Sequence, residues 1–168
     1  MREIREVIFR GKRTDCEAWV EGDLLHYESG EMAICKGFSK YGYEATEIIG
    51  RYKVIPETVG QYTGLIDKNG VRIFEGDIFK FDDEVWESSY TSCGTEYDSF
   101  AVENYGVVGF DEDMARFDFI KYKFNENSVE ADLHKNHDID FSEFVCELEV
   151  IGNIHDNPEI LKGGGDNG

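Results

Sequence analysis

The sequence predicts a mainly β fold: a partly open, strongly bent small β-barrel of SH3-like character, with one or two short helices. Three observations point there. Short runs rich in β-branched and aromatic residues recur between Gly, Asn and Asp. The stretch from Val54 to Phe79 reads as one β-hairpin. Two Glu-Gly-Asp triplets, each set between apolar residues, look like corners between strands, a device that recurs in small bent barrels.

Taken in order, the opening run Val7 to Arg13 sits in a basic cluster of Arg2, Arg5, Arg10, Lys12 and Arg13, interrupted by Glu3 and Glu6, which reads as a solvated strand edge. Trp19 to Leu25 then carries the first Glu-Gly-Asp corner and echoes Ile73 to Phe79, which carries the second. In each copy glycine permits a bend that a side chain would block. Ile48 to Val54 is a strand by composition. In the hairpin, Asn69-Gly70 supplies two residues that readily take φ > 0, and Asp67 can brace the turn with its side chain. Gly64-Leu65-Ile66 precedes that turn, and Val71, Ile73 and Phe74 follow it.

From about 82 to 106 the pattern lapses, and a long irregular loop is expected, rich in acidic and aromatic residues. Its rings, Trp86, Tyr90, Tyr97, Phe100 and Tyr105, argue for docking onto the protein or onto a partner. Strand signals resume at Val107 to Phe110 and Arg116 to Phe124. Between Phe117 and Phe124 the apolar phase shifts, predicting a bulge near Phe119 and Ile120 or a strand buried on both faces. Residues 128–147 carry weak helical signals, with Ser142 as an N-cap. Leu148 to Ile154 is a strand, and Asn157 with Pro158 starts a single turn reaching Lys162. Residues 163–168, GGGDNG, predict a disordered tail.

The hairpin sequence VIPETVGQYTGLIDKNGVRIFEGDIF resembles the YopX family, proteins encoded by phages and prophages of Gram-positive bacteria. The run VIGNIHDNPEIL, Val150 to Leu161, looks like that family's closing motif, and VIFRGKR is similar to its start. The resemblance spans almost the whole chain and implies one domain over residues 1–162. It leads to a family whose members mostly lack an assigned biochemical activity.

Composition bounds the function. A chain of 168 residues suits one domain with a sizeable core. Cys16, Cys35, Cys93 and Cys146 are scattered, without a C-x-x-C or nearby paired histidines, which argues against a zinc site or disulfide framework and for a reducing cytoplasm. No export signal and no membrane-spanning run is read, so a cytoplasmic protein of the bacterial host with no membrane contact is expected. Net charge is −19; residues 1–81 hold 12 basic and 14 acidic residues, and residues 82–168 hold 5 and 22. So negative a field disfavours direct nucleic-acid binding.

Signals for chemistry are weak. Asp67-Lys68-Asn69-Gly70 begins like a calcium loop, but its glycine comes fourth where an EF-hand needs it sixth. Asp111-Glu112-Asp113 and Asp138-x-Asp140 are ordinary solvated acidic faces, and His26, His134, His137 and His155 form no H-E-x-x-H. His155 reads as a structural hydrogen-bonding residue. No nucleophile or phosphate-loop motif occurs, so neither a cofactor nor an enzyme is expected. The sequence therefore predicts a phage or prophage accessory protein acting through protein–protein interaction. Trp86, Tyr90, Tyr97, Asp111, Glu112 and Asp113 are the expected partner-binding residues, on one surface spanning residues 82–113, and strand edges make a homo-oligomer a further expectation. Two alternatives stay open: an acidic nucleic-acid mimic that blocks a host DNA-binding protein or nuclease, and a small metal-dependent hydrolase.

Overall fold

The computed structural model describes residues 6–41, 45–123 and 145–162. These contain ten strands and two single 3-10 turns, at Pro56–Thr58 and Pro158–Leu161. The strands are β1 Phe9–Lys12, β2 Trp19–His26, β3 Met32–Tyr41, β4 Ala45–Val54, β5 Gly60–Ile66, β6 Arg72–Phe74, β7 Asp77–Thr91, β8 Gly94–Asp111, β9 Arg116–Lys123 and β10 Val150–Asn153. The fold is mainly β, as expected. Of the helical expectation over 128–147, residues 128–144 lie outside the described residues, as do the tail 163–168, Arg2, Arg5, His134, His137 and Asp138-x-Asp140. Only Val145 and Cys146 show helical geometry.

Two compact units are distinguished along the chain, residues 1–65 with 72–75, and residues 66–71 with 76–168. The first holds a six-stranded sheet in the order β4-β3-β2-β1-β5-β6. Val20, Ile34 and Val54 form its core, with Phe9, Leu24, Met32, Tyr52 and Val59 packed against them. The second holds a four-stranded sheet, β10-β7-β8-β9. There Phe119 meets Phe79 edge-on at 5.8 Å and stacks on Phe81 at 6.0 Å. Gly106 stays bare because a Cβ there would lie 2.7 Å from the Phe119 ring.

The expected barrel does not form: no closed or strongly curled sheet lies among the described residues. The first sheet ends at β6, only three residues long, after which the chain leaves it through Gly76 at φ 82°. One isolated bridge, Arg13 to Val54, links the continuation of β1 to β4, too little to close a sheet. The two Glu-Gly-Asp segments also differ from each other. Gly76 forms a turn, whereas Gly22 lies inside β2, at the point where that strand stops pairing with β1 and starts pairing with β3. A Cβ at Gly22 would stand 2.0 Å from the Cys35 carbonyl oxygen.

The described part of the basic cluster, Arg10, Lys12 and Arg13, is not a solvated edge either. β1 lies between β2 and β5, and the Arg10 guanidinium sits 4.9 Å from the centroids of both Trp19 and Phe74. A planar, weakly hydrated cation is suited to that position between rings. The phase shift in β9 resolves as a bulge: Val107 faces Lys121 and Val108 faces Phe119, leaving Ile120 over.

Candidate functional site

The segment expected to be an irregular loop is a long β-hairpin. β7 and β8 pair without a break from Ile78↔Val107 to Thr91↔Gly94, and Ser92-Cys93 makes the turn. Acidic and polar residues, dense enough to suggest a loop, are compatible with strands when both faces of a ribbon meet water. β10 pairs with β7 only over Asp77–Phe79, and β9 pairs with β8 over Tyr105–Asp111. Beyond these, among the described residues, the hairpin runs on as a two-stranded arm. At its base Lys80 and Glu103 form an ion pair, and Tyr105 Oη donates to Glu103 at 3.4 Å. The hydrogen bond from Lys80 is the main reason that the Glu103 carboxyl titrates below its ordinary value.

Tyr90, near the tip, is 89% exposed. Trp86 faces Ser99 and Tyr97 faces Ser88, so register places positions 86, 97 and 90 on one face of the arm. The side chains of Trp86 and Tyr97 lie outside the described residues.

Asp111, Glu112 and Asp113 belong to a different place, the turn between β8 and β9. Thr95, opposite Tyr90, is sixteen residues from Asp111 along β8, roughly 50 Å of extended strand. One surface spanning residues 82–113 is therefore a misreading that a compact loop would have allowed and an extended hairpin does not. In the turn, Asp111 Oδ1 accepts from the amides of Asp113 at 2.9 Å and Met114 at 3.1 Å. Phe110 and Met114 are exposed there, and neither was picked out as a site residue from the sequence. An apolar residue on each side of an acidic turn is the signal that could have found them.

The sequence motifs at the hairpin turn and near the C-terminus meet in a structural clasp. Asp67 is buried, and its Oδ1 accepts from the amides of Asn69 and Val71, both at 2.8 Å. Its Oδ2 accepts from the Val150 amide at 3.2 Å, Lys68 N donates to Leu148 O at 3.0 Å, and Lys68 pairs with Glu149 at 3.0 Å. Burial pushes the Asp67 carboxyl up, but the amides of Val71, Val150 and Asn69 outweigh it, with help from Lys68, and the group titrates below its ordinary value. Further on, Asn153 Oδ1 accepts from the amides of His155 at 3.0 Å and Asp156 at 2.9 Å, and Ile154 N donates to Gly76 O at 2.9 Å. The backbone of His155 is thus part of a turn.

Among the described residues, no group of three His, Cys, Asp or Glu side chains could hold a metal ion. The first unit has an open hollow of ≈ 340 Å³ beside Met32, Val54 and Pro56, and another of ≈ 410 Å³ beside Trp19, Lys36 and Arg72. In the second, Arg72 is engaged by Glu21 at 3.1 Å and Glu6 at 3.4 Å.

Comparison with known proteins gives a family and a solved relative. Residues 8–162 match the YopX protein family. The chain is also similar to the crystal structure of protein EF1440 from Enterococcus faecalis, at 27% identity and a TM-score of 0.52, over 94% of this chain and 99% of that one. No curated protein matches.

Proposed function

The chain belongs to the YopX family, and from that premise we propose that it is a non-enzymatic phage or prophage accessory protein that binds other proteins in the cytoplasm of its bacterial host. The observation that carries the reading is the β7–β8 arm, which extends well past the strands that flank it and leaves Tyr90 89% exposed near its tip. Two strands with no third neighbour are marginally stable in water, so an arm of this length gains from a partner. An exposed ring near the tip offers a partner apolar area.

The lopsided charge supports nucleic-acid mimicry as a second reading, but charge spacing weighs against the arm as a duplex mimic. Residues 82–104 carry seven acidic and no basic side chains. Spread over ten strand positions, they give about one charge per 5 Å, against about one per 1.7 Å for duplex DNA.

Affinity capture from host lysate, at low and high salt, tests the proposal with tagged wild-type protein and a Tyr90→Ala variant. A specific partner that the wild type retains at high salt, and that Tyr90→Ala loses at an unchanged melting temperature, supports it. Equal capture by both proteins removes the arm from the account, while a basic DNA-handling partner released by salt moves the balance to mimicry.

A further inference from the structure

We propose that the turn between β8 and β9 is a second docking surface, fitted to a partner segment in which positive charges flank an apolar side chain. The inference rests on the reading that this chain works by binding proteins, but on residues other than those of the arm. Phe110 is 46% exposed and Met114 65% exposed. Phe117, half-buried, holds the Phe110 ring edge-on at a centroid distance of 5.5 Å, so the exposed ring is already oriented. Exposed apolar groups on a preset ring and a flexible thioether are suited to receiving a partner's side chain.

Charge selects the partner. Asp111, Glu112 and Asp113 lie between the two apolar residues in sequence, with Glu112 and Asp113 exposed. Arg116, on the following strand, is held by Asp118 at 2.7 Å, which leaves the three carboxylates uncompensated by it. The turn itself is fixed by the two hydrogen bonds to Asp111 Oδ1, and Ala115 occupies the left-handed region at φ 52°. A second copy of so acidic a chain, or a nucleic acid, meets repulsion here, whereas a cationic segment meets complementary charge around an apolar seat.

The test is a titration of isotope-labelled full-length protein, followed by NMR, with a short synthetic peptide that alternates Lys with Leu and Trp, and with an oligolysine of equal charge. The expected result is saturable binding of the first peptide with shifts centred on Phe110 to Phe117, and affinity about ten-fold lower for oligolysine. The double variant Glu112→Lys, Asp113→Lys alters only exposed side chains and should weaken binding about ten-fold at an unchanged melting temperature. Undiminished binding by that variant, or no saturable binding at all, overturns the proposal. Shifts centred on the arm do so too while leaving the proposed function standing. Shifts at Phe110 to Phe117 that grow with protein concentration in the absence of peptide assign the surface to a second copy and also overturn it.

Discussion

At the scale of single residues, Asp67 shows how one carboxylate organises distant chain. It accepts from three backbone amides, and the one on Val150 is 83 residues away. Asp67→Ala should therefore lower stability by roughly 1–3 kcal/mol near neutral pH, since three part-buried amides lose a charged acceptor, as chemical denaturation can measure. Its pH dependence has a definite sign. Because the folded carboxyl titrates below its ordinary value, its stabilisation is complete above about pH 4 and is lost as the pH falls through the folded pKa. The stability gap between wild type and Asp67→Asn should narrow in that acid range, and a gap independent of pH would count against the clasp. The turn also departs from expectation: Gly70 alone takes positive φ, at 80°, while Asn69 does not. Gly70 N donates to Asp67 O at 3.0 Å, so the bend is an ordinary four-residue turn closed by a left-handed glycine.

The two corner glycines separate two kinds of constraint. A Cβ at Gly76 has room, its nearest neighbour lying at 3.4 Å, so only the backbone angle of 82° resists substitution. Gly76→Val should cost about 2–3 kcal/mol and Gly76→Asn under about 1 kcal/mol, because Asn tolerates that region. At Gly22 the obstacle is the Cys35 carbonyl 2.0 Å from a Cβ, so Gly22→Ala should cost about 3 kcal/mol or more. Thermal melts of the three variants, ranked the other way, would refute this division.

At the scale of elements, the arm is long because its base carries the packing. Ile78, Phe79, Phe81, Val107 and Val108 are buried at that end, whereas Ser89, Tyr90, Ser92, Cys93, Gly94 and Thr95 are exposed at the other. Replacing residues 84–101 by Asn-Gly, which joins the paired positions Asp83 and Val102, should change stability by less than about 1 kcal/mol, or about 2–4 °C in melting temperature. Partner capture should disappear with the arm. A large loss of stability would make the arm a structural part of the fold. The β9 bulge is a different case: a period-two apolar pattern that changes phase left a bulge or a strand buried on both faces, and the pairing decides for the bulge, with Ile120 the residue left over.

At the scale of the whole molecule, a net charge of −19 is the dominant long-range feature. Self-repulsion destabilises the folded state most where screening is weakest, so the melting temperature should rise by a few degrees between about 20 mM and 300 mM NaCl. A flat or falling profile would show that local ion pairs outweigh the net field. A homo-oligomer joined through strand edges remains an expectation that light scattering at high concentration and moderate salt tests directly. A monomer under those conditions rules it out.

By itself the sequence determined the β class, the Asp67 turn and the turn at Pro158, and narrowed β9 to a bulge or a strand buried on both faces, because each depends on neighbours within a few residues: alternation, side-chain bracing and φ preference. The expected cap at Asn157 does not form: its side chain makes no cap hydrogen bond, and its Oδ1 accepts from Asn153 N at 3.3 Å instead. It also determined the family, through motifs that prove to be joined by hydrogen bonds from the Val150 amide to Asp67 Oδ2 and from the Ile154 amide to Gly76 O. Only the tertiary structure decided that residues 82–106 are paired strands, that Arg10 lies between two rings, and that the first sheet stays open. Those outcomes depend on which strand finds which partner, and local composition does not carry that information. The same limit split the expected binding surface in two, because pairing stretched into an extended ribbon a segment whose polarity, taken locally, reads as a loop.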